Sequence, residues 1–139
     1  RDVLTKEFSR GPATRRLTVT LLTFGYKFGV PYDIDLLFDV RFLKNPFFVP
    51  DLKPLPGDDP RVRAFVLSDP DAIDLLAQLE SMLKFLIPLY EREQRSYLTI
   101  AIGCTGGRHR SVAIAGRLRE SLGAIGHEVI LKHRDLQKS

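Results

Sequence analysis

The stretch Tyr97-Leu-Thr-Ile-Ala-Ile-Gly-Cys-Thr-Gly-Gly-Arg-His-Arg-Ser-Val-Ala-Ile-Ala-Gly-Arg-Leu-Arg-Glu-Ser-Leu-Gly123 decides the fold. Its first seven residues are apolar and rich in β-formers, which reads as a strand. A glycine-rich turn follows, and Ser111 to Leu122 reads as a helix closed by Gly123. Outward from this unit the same alternation recurs. Arg16 to Thr23 is a second strand candidate running into the glycine loop Phe24 to Pro31. Leu36-Leu-Phe-Asp-Val40 is a short buried strand with Asp39 near its end, and His127 to Arg134 is a last strand. Asp59-Pro60 and Ser68-Asp69-Pro70 each open a helix with an oxygen-bearing cap before a first-turn proline. The second helix carries the stripe Ile73, Leu76, Leu79, Leu83, Leu86 and Ile87, and Pro88 is expected to kink or end it. Strands separated by helices predict one α/β layered domain with a mostly parallel sheet. Between them, Lys44 to Pro60 holds five prolines and must be an extended surface loop, long enough to suggest function.

The chain has 139 residues, 21 Lys plus Arg and 17 Asp plus Glu, a size that suits one domain. No stretch approaches the roughly 20 apolar residues needed to cross a bilayer, and no apolar signal region stands near Arg1, so neither a membrane span nor a signal peptide is expected. A start at Arg1 suggests an excised domain, with residues 1–16 a linker or terminal segment and 17–139 the folded unit. Cys104 is the only cysteine, which excludes an internal disulfide and a four-cysteine zinc site and favours a reducing, cytoplasmic setting. His109, His127 and His133 lack metal-ligand spacing, so no metal is expected. The charge excess sits in the C-terminal third. From Arg108 onward there are seven cations against Glu120, Glu128 and Asp135, a pattern that suits an anionic partner, although a solvated basic face gives the same count.

The chemistry concentrates in Gly103-Cys-Thr-Gly-Gly-Arg-His-Arg-Ser111. Between a strand and a helix, Gly106 and Gly107 let backbone N–H groups converge, the helix start adds partial positive charge, and Arg108 and Arg110 offer forks that match phosphate oxygens. By Brändén's rule the ends of neighbouring strands meet this loop, which adds Lys27, Asp39, Arg41 and Asn45 as ligand candidates: cations toward a phosphate, Asp39 toward sugar hydroxyls or an amine. The same loop spells Cys-x5-Arg-Ser, the spacing of cysteine-dependent phosphatases. On that alternative, Cys104 is the nucleophile, Arg110 the phosphate ligand and Asp33, Asp35 or Asp39 the leaving-group acid. Against it, Gly103 stands where that class has histidine.

Three blocks resemble the C-terminal domain of the RapZ/YvcJ family of bacterial RNase adapter and nucleotide-binding proteins: Thr23 to Asp33 continuing through Leu37 to Pro46, Arg95 to Val112, and His133-Arg-Asp-Leu136. The resemblance implies a phosphofructokinase-like α/β domain that forms a homo-oligomer. It also implies sensing of an amino-sugar phosphate or nucleotide sugar, such as glucosamine-6-phosphate or UDP-N-acetylglucosamine, and possession in the full protein of a separate P-loop domain for ATP or GTP; this domain itself needs no cofactor. Lys27, Asp39, Arg41, Cys104, Thr105, Gly106, His109 and Arg110 carry over as ligand contacts. Phe47 departs from the family's pattern, standing where the enterobacterial member has a pocket histidine. Recognition of small regulatory RNA, with an RNase as partner, is the second implied role. It would use the basic surface of Arg117, Arg119, Lys132, His133, Arg134 and Lys138, contact mainly phosphates and weaken with salt.

Overall fold

The computed structural model describes residues 17–138; the terminal segment 1–16 lies outside the described residues. The order is β1 (Thr18–Gly25), a short 3-10 turn, β2 (Leu36–Asp39), a second 3-10 turn (Pro46–Phe48), α1 (Pro60–Leu67), α2 (Pro70–Arg92), β3 (Tyr97–Cys104), α3 (Arg110–Ala124) and β4 (Glu128–His133). Four parallel strands form one sheet in the order β2-β3-β1-β4. The alternating and continuous apolar runs thus give the α/β domain expected from them.

Register explains the layering. Val19, Leu98 and Val129 lie side by side, as do Leu36, Ile100, Leu21 and Leu131. With Leu79, Leu83 and Ile87 of α2 and Ile114 and Leu118 of α3, these residues make one core. All three helices share this face, as the right-handedness of parallel crossovers requires: β2 to β3 and β3 to β4 both step the same way across the sheet. The connection from β1 to β2 steps the opposite way, so it crosses the other face, and it contains no α-helix. There Tyr26 and Phe24 pack against Gly103, at which a Cβ would meet either ring inside 3.0 Å. Away from that end the second face is open: Tyr97 is 69% exposed, Leu37 42% and Ile130 40%.

Three expectations are corrected. Of the kink or end expected at Pro88, the end is overturned: α2 continues through Pro88, which is exposed, to Arg92. The buried stripe of α2 is Ala72, Leu76, Leu79, Leu83 and Ile87, the expected face except at its flanks, where Ile73 is 57% exposed and Leu86 only half-buried. α3 runs past Gly123, and the glycine that leaves the helical region is Gly126, at φ +95°. Gly123 therefore sits inside α3 with open space around its Cα. Gly123→Ala is expected to raise stability by about 0.5–1 kcal/mol, read as a higher midpoint in urea.

Candidate anion site at the carboxyl ends of the strands

β1 and β3 are neighbours whose chains leave in opposite directions, one toward β2 and the other through α3 toward β4. A crevice opens at such a switch point. Gly25 pairs with Cys104 in register, and the loop after β3 folds back over the end of β1. Gly107 turns with φ +73°, and a Cβ there would lie 2.4 Å from the Gly25 nitrogen. The Lys27 N–H donates to the Thr105 carbonyl at 3.2 Å.

The third wall is the proline-rich segment, which is fastened rather than loose. Arg108 Nη2 donates to the Pro54 carbonyl (2.7 Å), His109 Nε2 donates to that of Lys53 (3.1 Å), and the Gly57 N–H donates to that of Arg108 (2.8 Å). Asn45 caps the short turn after it by accepting from the Phe47 N–H. Burial holds the His109 imidazole below its ordinary pKa; the carbonyls oppose this, and the Arg108 and Arg110 charges add to it.

These walls enclose a cavity of about 670 Å³ lined by Lys27, Asn45, Phe47, Phe48, Lys53, Pro54, Cys104, Thr105, Gly106, Arg108, His109, Arg110 and Lys138. Five of the lining residues are cations and none is a carboxylate. Arg110, 5% exposed, is the deepest of them. Its Nη1 donates to the Arg41 and Leu43 carbonyls and its Nη2 to Thr105 Oγ1, while its buried Nε has no partner among the described residues. Its guanidinium thus touches no carboxylate, and burial lowers its pKa; Asp39 acts only through space. A buried donor left without a partner costs about 1–3 kcal/mol. The helix behind it repeats the deficit: α3 has no side-chain cap and no acidic residue in its first turn. An anion in the cavity would offset the uncompensated Arg110 charge and complement the start of α3.

Asp39 and Arg41 stand outside the lining. They pair with each other, Arg41 Nη2 donating to Asp39 Oδ2 at 2.6 Å, and Arg41 lies 3.8 Å over the Tyr26 ring. The Arg41 hydrogen bonds, against some burial, keep the Asp39 carboxyl below its usual pKa. That favours an ionised Asp39 over a proton donor. Gly107 also lies off the lining and serves the loop's turn. Cys104 Sγ is buried at the floor, donates to Ser111 Oγ at 3.2 Å and accepts from the Ser111 N–H. Phe48, Lys53 and Pro54 join the lining without any local signal, because nothing in the sequence of a proline-rich loop says which of its side chains turn inward.

Of the residues expected to meet RNA, four have partners within the domain. Arg117 donates to Ser121 in α3, and His133 Nδ1 shares a 2.8 Å hydrogen bond with Thr23. Arg134 and Lys138 both pair with the buried Asp135, and Lys138 reaches the cavity rim. Arg119 and Lys132 project outward from α3 and β4. Among the described residues no cluster of His, Cys, Asp and Glu could hold a metal, and no helix is long and apolar enough to cross a membrane.

A family profile described as the RapZ C-terminal domain matches residues 17–137. A nucleotide-binding protein of Anaeromyxobacter sp. (strain K) is 55% identical over 136 residues, covering 98% of this chain and 46% of that protein. One from Geobacter metallireducens is 55% identical over 124 residues, 89% of this chain and 44% of the relative. A third, from Thermoanaerobacter sp. (strain X514), is 48% identical over 136 residues, 98% and 48% of the respective chains. The chain spans about half the length of the curated relatives it matches.

Proposed function

Because the chain belongs to the RapZ C-terminal domain family, we propose that it is a regulatory domain that senses a phosphorylated amino sugar or a nucleotide sugar. The observation that carries this reading is Arg110, a buried guanidinium that pairs with no carboxylate, lining a cavity with four further cations and no carboxylate. A phosphate in the cavity would offset the buried charge. Lys27, Lys53 and Lys138 sit as point charges around the rim, and Phe47 and Phe48 offer an apolar wall for a sugar face or a base. Arg108 and His109 act as clamps: their hydrogen bonds to the proline-rich segment hold the wall at its distance from the floor. Asp39 and Arg41 position the site from behind, since the Arg41 carbonyl receives Arg110. The nucleotide in the relatives' names belongs, on this reading, to the half of those proteins that the chain does not span.

Titration calorimetry of glucosamine-6-phosphate, UDP-N-acetylglucosamine and inorganic phosphate tests the proposal. One amino sugar should bind well above free phosphate, and Arg110→Ala should weaken it by about 10- to 100-fold, the worth of one or two charge-assisted hydrogen bonds. Equal binding by the variant would overturn the assignment of Arg110, and equal weak binding of all three ligands would overturn the sugar. An aryl phosphate turned over by the wild type and not by Cys104→Ser would move the reading to a thiol phosphatase instead.

A further inference from the structure

The charged side chains of the cavity lining are Lys27, Lys53, Arg108, Arg110 and Lys138, all of them positive. Carboxylates stand near two of these cations, but they are committed elsewhere. Asp39, which acts on Arg110 through space, is held by the guanidinium and the backbone N–H of Arg41. Asp135, the partner of Lys138, is fully buried and also holds Arg134 and the Gly25 N–H. The oxygens of the walls are engaged as well. The Arg41 and Leu43 carbonyls and Thr105 Oγ1 receive Arg110, and the Thr105 carbonyl receives the Lys27 N–H. Those of Lys53 and Pro54 receive His109 and Arg108. Asn45 turns its side-chain oxygen back to the Phe47 N–H, so the polar atom it has left is its amide nitrogen, a donor. Among the described residues the cavity is therefore rich in donors and positive charge, and its acceptors are largely in use.

We propose that the cavity selects by charge among phosphorylated sugars: it accepts one whose nitrogen is acylated, or is replaced by a hydroxyl, and rejects one with a free amine. The inference rests on the reading of this cavity as a sugar-phosphate site. A protonated amine has three donors, no acceptor and a positive charge. In this lining it meets five like charges and no carboxylate to offset them. A phosphate offers acceptors alone, which the cations take up. An acylated nitrogen carries no charge, and its carbonyl adds an acceptor for the donors that surround it. Its methyl group suits the apolar wall, where Phe47 is 49% and Phe48 78% exposed. Asn45 is then the residue that decides the selection, because its amide stands where a carboxylate of the same shape would receive an amine.

Calorimetry at pH 7 with N-acetylglucosamine-6-phosphate, glucosamine-6-phosphate and glucose-6-phosphate tests the selection. The acetylated and the hydroxyl sugars should each bind about tenfold or more tightly than the free amine, the effect of one more positive charge among the others. At pH 9 the sugar amine loses its proton while the lysines and arginines keep theirs, so the gap should largely close. Asn45→Asp keeps the oxygen that caps the Phe47 N–H and puts a carboxylate into the lining. It should shift the ratio of affinities by about tenfold toward glucosamine-6-phosphate. Equal affinity of the wild type for the free amine and the acetylated sugar at pH 7 would overturn the proposal and leave the sugar-phosphate site standing. So would a gap that persists unchanged at pH 9, which would make the preference one of shape. Binding of none of the three above inorganic phosphate would remove the sugar-phosphate site itself, and the selection with it.

Discussion

Gly25→Ala is expected to weaken anion binding by about 100-fold and to cost about 3 kcal/mol of stability. Gly25 has ordinary extended dihedrals, φ −105° and ψ 130°, so alanine suffers no conformational penalty there. The obstacle is space. A Cβ on Gly25 would lie 2.3 Å from the Gly106 carbonyl carbon, 2.5 Å from its oxygen and 2.8 Å from the Gly107 nitrogen, all backbone atoms of the loop after β3. Ordinary contact lies near 3.5 Å or beyond, so the two loops must part by about 1 Å. Overpacking of this kind costs about 1–3 kcal/mol, at the upper end where the neighbour is backbone. Displacement of the cradle by 1 Å loses about 100-fold in a site that depends on fixed donors. Gly106→Ala is the control: its Cβ would meet nothing within 4 Å, so the fold should be unaffected. Chemical denaturation and calorimetry on both variants decide the matter, and wild-type affinity in Gly25→Ala would show that the loops do not form the site together.

How much of this was legible in the sequence depends on range. The glycine loop between β3 and α3 is local: strand pattern, paired glycines and helix pattern lie within 27 consecutive residues, so its place at a strand end could be read directly. Asp39 and Arg41 looked like ligand residues because they sit at a strand end, but the sequence could not show that two residues two apart would fold onto each other. Arg108 and His109 looked free for the same reason; their partners, Pro54 and Lys53, are more than fifty residues away. The role of Gly25 was equally hidden, since its neighbour across the crossing is Gly106. Charge counting misled most in the C-terminal third. Arg134 and Lys138 add to the basic total, yet both are bound to one buried aspartate.

That aspartate gives the other large effect. Asp135, fully buried, accepts from the Gly25 N–H at 2.7 Å and pairs with Arg134 at 2.8 Å and Lys138 at 2.8 Å. It therefore ties the end of β1, the C-terminal turn and the cavity rim to one carboxylate. Burial alone would raise its pKa, but the Arg134, Gly25 and Lys138 hydrogen bonds and the Arg134 charge outweigh burial and pull it down to about 2. The folded value lies below the unfolded one, near 3.9. The native state thus binds fewer protons, so this contribution is complete above about pH 4 and is lost as pH falls through about 2. It amounts to about 2–3 kcal/mol at neutral pH. Asp135→Asn should lose that amount at pH 7, and its deficit should shrink steadily between pH 4 and pH 2. Asp35, Asp39, Asp59, Asp69 and Glu120 are also held below their usual pKa values, so both proteins weaken in acid, and the difference between their stability curves isolates Asp135. Asp135→Ala should cost about 3–5 kcal/mol, because it also strands the half-buried Arg134 guanidinium and a buried N–H. Parallel acid profiles for wild type and Asp135→Asn would mean that the charge contributes nothing and that only the shape of the side chain matters. Converging profiles, with anion affinity falling in step, would identify the carboxylate as the latch that holds the β1 loop under the site.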